Sequence, residues 1–468
     1  MATLKKIDQI QLANWIGREC HFDLLYAVSR DGCTGAKFHE LCDNKGPTVT
    51  VFFNADDNVY GGYASKSWTS NSEWVNDNVA FLFKLYTKNM WKPQQFTNKC
   101  KDQTFACENK WGPWFRELHS FKSPIEKKTN VYNLDKESLF NGEFFNIEKE
   151  NAGSIASGHN NVKDLVVYAV LDGPGSLTPW RIPPLWTLQA CQDLKDFIST
   201  YQPPKDLDVP DVNILLVGAV GAGKSSFLNT VNSIFHGDIT SRACTGSSDH
   251  SLTTKLQQLR VRDPSSGSYM HVRLFDTPGI EEDLSIKQED IGFILDGHLP
   301  NQYKFNPFSQ ASPDVPDFKQ ETSIKDKIHV VTYVIDASTI GEIKPGVVHT
   351  LSVIKRLIVD RGVPLVVLLT KLDKVCQLVE NDITNIFKIE MVEGKVNEVA
   401  QMIAIPRSHV LPVKNYEKET ELQTEISILA LHVRAMKQIL TFANDYFENY
   451  LDMAVIPNKT FAQFKSND

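Results

Sequence analysis

Residues 214–225 read Ile-Leu-Leu-Val-Gly-Ala-Val-Gly-Ala-Gly-Lys-Ser. An apolar run ends at Val217, and G-x-x-x-x-G-K-S follows at once from Gly218 to Ser225. Apolar periodicity predicts a helix beginning at Ser225. Strand, glycine loop and helix are the context in which this motif cradles a polyphosphate. Gly218, Gly221 and Gly223, with the small Ala222, let backbone N–H groups curl round an anion that a larger side chain would obstruct. Lys224 would reach the β- and γ-phosphates, and the Ser225 hydroxyl would ligate Mg²⁺. Ser226 continues the helix N-terminus, whose dipole favours negative charge. A chance match in a flexible glycine loop would not need the flanking strand and helix.

Two further elements follow in order. Asp276-Thr277-Pro278-Gly279 closes another apolar run, placing Asp276 to hold Mg²⁺ through water and the Gly279 N–H to sense a γ-phosphate. Thr370-Lys371-Leu372-Asp373 follows the run Leu365–Leu369. A carboxylate at Asp373 is an acceptor for the N1–H and exocyclic amine of guanine, donors that adenine lacks at those positions, and Lys371 would lie over the base or ribose. Each motif alone is common; three in order, each at a strand's C-terminal end, specify a guanine-nucleotide site.

The flanking sequence continues the alternation. Short apolar runs at 256–261, 330–336 and 409–413 are separated by helical patterns at about 284–296, 346–361, 380–403 and 424–451. That order predicts an α/β domain with a mostly parallel sheet and helices on both faces. The tight turn at 263–268 predicts one antiparallel edge pair. Upstream, all eight tryptophans lie before residue 187, so the first part of the chain has its own composition. Thr48–Asn54 and Leu165–Leu171 read as strands, helical spacing occurs near 7–20, and Gly61-Gly62 and Gly112-Pro113 read as turns, giving an α+β domain. Pro and Gly crowd 173–184 and recur at Pro203, Pro204 and Pro210, on either side of an amphipathic stretch at about 185–201. The expected organisation is a domain at 1–172, a linker with a docking helix at 173–210, a nucleotide domain at 211–455 and a tail at 456–468.

Composition narrows the function. The 468 residues are 42% hydrophobic with a formal charge of −8, which suits globular domains and argues against a nucleic-acid partner, because nothing neutralises phosphate wholesale. Neither a leader nor an 18-residue apolar span is legible, and the eight cysteines show no C-x-x-C spacing; a cytoplasmic protein with reduced thiols is the expectation.

The three motifs make residues 210–450 resemble a translation-factor-type GTPase domain. More closely, the 214–235 stretch, Tyr303-Lys304-Phe305-Asn306-Pro307 and the terminal helix are similar to the interferon-induced protein 44 family. The N-terminal half of that family is a TLDc domain, and LLYAVSRDG (24–32), GPTVTVFFN (46–54), VYGGYASKSW (59–68) and WGPWF (111–115) look like its signature. The resemblance implies GTP or GDP as ligand with Mg²⁺, a role in interferon-linked immune or antiviral responses, and a protein-interaction module in the first domain. For that module, a link to the vacuolar ATPase or to oxidative-stress protection is implied by analogy. A non-cycling scaffold, or an effector driven by the first domain, is the alternative to a slow switch. The switch I threonine stays open between Thr253 and Thr254, which both precede the second strand, and Thr245 further upstream, with Thr253 carried as the candidate metal ligand. The guanine-supporting loop would be Val413-Lys414-Asn415, a departure from the usual Ser-Ala-Lys.

No catalytic group is assigned. Ile280 follows Gly279 where many Ras-like enzymes carry a water-orienting Gln, so hydrolysis is expected to be slow or absent. Within the first domain, His21, His39 and Cys42 read as structural. Ile426, Leu429, Val433, Met436, Leu440, Ala443, Phe447 and Tyr450 form a heptad-like seam. A helix packed on its own sheet explains the seam; self-association through it is the second reading, and the protein partner is unidentified.

Overall fold

The computed structural model describes residues 1–455 apart from 100–101, 123, 129–130, 135–139, 149–154, 157, 160, 174–178, 244–252, 264–266, 282–285, 307, 418, 420 and 423–425. Cys100, Pro174, Thr245, Glu282, Pro307 and the 456–468 tail therefore lie outside the described residues. The chain divides into two compact units, Met1–Thr178 and Pro179–Asp468. Among the described residues, no helix is long and apolar enough to cross a membrane.

The first unit is built on an antiparallel sheet. Its strands are β1 (Cys20–Ala27), β2 (Thr48–Asn54), β3 (Val59–Ala64), β5 (Phe81–Thr87), β6 (Met90–Thr97) and β10 (Asn161–Asp172), in the order β1-β10-β2-β3-β5-β6. The short β9 (Tyr132–Asn133) pairs with β10, and β4 (Trp74–Val75), β7 (Phe105–Ala106) and β8 (Trp114–Phe115) make a separate small sheet. Helices α1 (Lys6–Ile16), α2 (Val28–Asp31) and α3 (Gly35–Cys42) complete the described part. Period-two alternation sends the strands' side chains into two cores. Phe52, Leu165 and Val167 join Phe38, Trp68 and Phe115 on one side. Val49, Val51, Val166 and Tyr168 join Leu12, Phe22 and Phe83 on the other.

Two sequence expectations fail here. Gly61-Gly62 is not a turn; both glycines lie inside β3. A Cβ on Gly61 would sit 1.9 Å from the Thr50 carbonyl oxygen, and one on Gly62 would sit 2.6 Å from the Phe115 ring. The glycines serve close packing, and the turn is Asn54–Asn58, where Asn54 and Asn58 pair through the backbone at 2.9 Å. The helical spacing near 7–20 stops at Ile16, because Gly17 takes a left-handed cap with φ 79°.

The second unit is the α/β layer structure that the alternation implies. Its sheet runs β12 (Gln257–Arg262), β13 (Tyr269–Asp276), β11 (Val212–Val217), β14 (Val330–Asp336), β15 (Leu365–Thr370), β16 (Val410–Pro412). β12 and β13 are antiparallel, and every other pair is parallel. Every residue of β11 and of β15 is buried, as strands covered on both faces require. The helices are α4 (Leu188–Thr200), α5 (Lys224–His236), α6 (Gln288–Leu295), α7 (Pro345–Asp360), α8 (Gln377–Asn381), α9 (Glu390–Ile403) and α10 (Ile426–Val455). The continuous 380–403 helix is thus a misreading. Asp382 caps a 3-10 turn at Ile383–Phe387 by accepting from Thr384 N, and this breaks the run.

Helix α4 packs inside this unit, where Tyr201 just beyond it donates to Asn444 Oδ1 of α10 at 2.6 Å. The seam of α10 is occupied by the unit's own core. Val433, Met436, Leu440, Ala443 and Phe447 are buried, Leu429 is half-buried, and only Tyr450 of the described seam is exposed.

Candidate nucleotide site

All the site loops leave the C-terminal edge of the parallel sheet, where the ends of β11, β13 and β15 converge. The phosphate loop, residues 218–223, turns through two positive-φ glycines, Gly221 (73°) and Gly223 (100°), into α5. Those angles give the loop the curled backbone of an anion cradle, although the Val220 and Ala222 amides are here spent on the Ile280 and Ala219 carbonyls. Lys224 is 6% exposed and donates to the Gly218 and Ala219 carbonyls at 2.9 and 3.1 Å. Burial lowers its ammonium to about 8, with Asp276 acting in the opposite direction. Ser226 is half-buried in the first turn of α5.

Three oxygen-bearing side chains meet beside the loop. Ser225 Oγ donates to Asp276 Oδ2 at 2.6 Å. Thr253 Oγ1 lies 3.4 Å from both that carboxylate oxygen and Ser225 Oγ. Thr253 is buried whereas Thr254 is exposed, so the geometry separates two candidates that sequence left open. Asp276 is fully buried; desolvation raises its carboxyl above the ordinary range, opposed by Lys224 and the two hydroxyls. Its Oδ1 has no hydrogen-bond partner among the described residues. An orphaned buried carboxylate oxygen beside two hydroxyls is an oxygen-only donor set that fits Mg²⁺. By contrast, no cluster of three His, Cys, Asp or Glu side chains suited to a metal occurs among the described residues.

Gly279 is pressed against the phosphate loop, since a Cβ there would lie 2.5 Å from Val220 Cγ2. Ile280 is 2% exposed, and its N–H donates to the Gly218 carbonyl at 3.0 Å. The position after the glycine is thus directed into the core.

The base-side loops are tied to the phosphate loop. Thr370 Oγ1 donates to the Ala222 carbonyl at 2.7 Å. Lys371 takes a left-handed φ of 54° and pairs with Asp336 at 2.8 Å. Asp373 sits in the following 3-10 turn, where burial raises its carboxyl. Lys414 is buried and paired with Glu419 at 2.8 Å, and Asn415 Nδ2 donates to the Gly223 carbonyl at 3.2 Å.

Sequence reasoning missed two participants. Asp336 ends β14 and holds Lys371. His432 of α10 lies 3.1 Å from Asn415 Oδ1, and its ring stacks on Phe227 of α5. A lone histidine in an apolar helix pattern carries no signal of such a contact. In the first unit, His39 is spent on Asp43 and the Glu108 carbonyl, His21 on the Gly173 carbonyl, and burial pushes the Cys42 thiol up. These three do not assemble into a site.

Comparison with known proteins finds two separate domain matches. Residues 3–150 match the TLDc domain model, and residues 213–371 match the model of the 50S ribosome-binding GTPase. Human interferon-induced protein 44 is 28% identical over 91% of this chain and 90% of its own length. Human interferon-induced protein 44-like is 35% identical over 54% of this chain and 56% of its own. Among solved structures, a probable GTP-binding protein engB aligns with 50% of this chain and 100% of its own at 16% identity and a TM-score of 0.29. The chain is thus similar to interferon-induced protein 44 along most of its length, with a match to the TLDc domain followed by a match to a P-loop GTPase.

Proposed function

We propose that the protein binds GTP and GDP with Mg²⁺ through its second unit, turns GTP over slowly or not at all, and presents its TLDc domain to a protein partner. The observation that carries this reading is the meeting of Ser225, Thr253 and Asp276 within 2.6–3.4 Å at the phosphate loop. A magnesium ion bound there would screen the charge of the β- and γ-phosphates. The chain's own residues do the rest. Gly218, Gly221, Ala222, Gly223, Lys224 and Ser226 bind phosphate, and the Gly279 N–H faces the γ position. Asp373 accepts from guanine, Lys371 covers the base, and Thr370, Lys414 and Asn415 fix the loops that hold it.

Slow turnover is favoured by Ile280, whose buried aliphatic side chain cannot orient water. The names of the relatives favour an interferon-linked role in immune or antiviral defence. Cytoplasmic residence belongs to the same proposal; the six described cysteines are all unpaired thiols, as in a reducing compartment. Calorimetry of the purified protein with GTP, GDP and ATP, with and without Mg²⁺, tests the assignment. Guanine nucleotides should bind and ATP should not; equal affinity for all three would refute it.

A further inference from the structure

The loop 297–323 is long for a connection, and loops of that length usually have a job. It touches both segments that would sense a γ-phosphate. At one end it pairs as a short antiparallel strand with the residues directly after Thr253. Phe305 N donates to the Thr254 carbonyl at 3.2 Å, Leu256 N to the Tyr303 carbonyl at 2.9 Å, and Gln302 N to the Leu256 carbonyl at 2.8 Å. Asn301 Oδ1 accepts from Gln258 N at 2.9 Å. At the other end it is tied to α6, the helix that follows the Asp276–Gly279 loop. Asp290 of α6 is fully buried, and its Oδ1 accepts from Ala311 N at 2.6 Å. His298 N donates to the Phe293 carbonyl at 2.9 Å, and Phe318 packs edge-on to Phe293.

Fixing a backbone residue costs about 1–2 kcal/mol of conformational entropy. A threonine that must meet a metal from a loop incurs that cost at binding unless something else has already ordered it. Here the backbone just beyond Thr253 is already paired, and Thr253 Oγ1 already stands 3.4 Å from Asp276.

We infer that loop 297–323 is a strap that holds Thr253 in ligating position and couples it to α6, with Asp290 as the positioning residue that anchors the strap. The inference rests on the nucleotide reading above. It gives the strap a specific effect. Holding Thr253 stabilises the state in which threonine, Mg²⁺ and γ-phosphate are joined, and contributes little to GDP, which has no γ-phosphate.

The full-length protein is compared with Phe305→Pro, which lacks the N–H that reaches Thr254, and with Asp290→Ala and Asp290→Asn. Asn301→Ala replaces Phe305→Pro if the latter melts early. Hydrogen exchange of residues 254–258 is measured in nucleotide-free protein, and dissociation of fluorescent GTP and GDP is followed in Mg²⁺ and in EDTA. Phe305→Pro and Asp290→Ala should raise exchange and release GTP roughly tenfold faster in Mg²⁺, the scale of one or two lost hydrogen bonds. GDP release and release in EDTA should barely move. Asp290→Asn keeps the acceptor and should behave as the parent. Unchanged exchange overturns the strap. Equal acceleration of both nucleotides with and without Mg²⁺ also overturns it, since that is general loosening. If the parent binds neither nucleotide, the nucleotide assignment falls by itself, and the exchange measurement still decides the strap.

Discussion

Thr370 ties the loop carrying Asp373 to the phosphate loop: its hydroxyl donates to the Ala222 carbonyl at 2.7 Å, with the Ile335 carbonyl 3.1 Å away as the alternative acceptor of the same proton. The loop that carries Asp373 is therefore fastened to the loop that carries Lys224. Thr370→Val removes a fully buried donor and takes the hydroxyl partner from the Ala222 carbonyl, a loss of about 1–3 kcal/mol. Affinity should fall for GDP and for guanosine alone, because the defect lies in the scaffold of the base loop. A variant that loses affinity only for the triphosphate would contradict this coupling.

Lys224 supplies a pH dependence. Burial holds its ammonium at about 8, and a bound polyphosphate raises it. Between those two values the complex holds a proton that the free protein lacks. Nucleotide affinity should therefore fall as pH rises through about 8, with proton uptake on binding. Calorimetry at pH 8.5 in two buffers of different ionisation enthalpy reads the uptake directly. Lys224→Ala should abolish it and weaken binding by about 1.5–3 kcal/mol, more than tenfold.

Base choice should follow Asp373. Asp373→Asn replaces a pure acceptor with an amide that also donates. Guanine binding should drop while xanthine, with a carbonyl in place of the exocyclic amine, is tolerated better. A mutant that still prefers GTP to XTP as strongly as the parent would place base reading elsewhere.

Turnover should be no faster than about 10⁻² s⁻¹ without a partner, the scale of unassisted switch GTPases. Restoring glutamine at position 280 should not help. The side chain is buried and its backbone is tied to Gly218, so Ile280→Gln puts an amide into the core at a cost of about 1–3 kcal/mol. Single-turnover assays paired with thermal melts check both outcomes; faster hydrolysis in the glutamine variant would show that the side chain swings out to the γ position.

Acid should destabilise the second unit. Burial lowers His329 and His432 to about 4, below the ordinary 6.5, so the unfolded chain binds more protons in that window. Stability is complete above about 6.5 and declines as pH falls towards 4. Melting temperature at pH 7 against pH 5 measures the decline, and His432→Phe should flatten part of it.

The phosphate loop was legible because its requirement is local: small residues, one lysine and one serine at fixed offsets between a strand and a helix. Asp276 and Asp373 were legible for the same reason, each closing an apolar strand. Thr253 was not separable from Thr254, because its distinction is made by a carboxylate 23 residues away. Gly61 and Gly62 were misread since glycine marks a turn in one dimension and a close approach of strands in three. His432 was silent because its partner Asn415 lies 17 residues away, and the 297–323 segment was legible only as a long Pro- and Asn-rich connection, without its pairing to the residues after Thr253.

The order of the first sheet sets a limit on where the chain can be cut. β10 lies between β1 and β2, so the earliest two long strands wait for the last before either is paired on that side. A fragment trimmed to the TLDc match, 3–150, would omit β10 altogether. It would leave two long strand edges open to other chains, the geometry that seeds aggregation, so expression trials of the isolated domain should extend through Asp172.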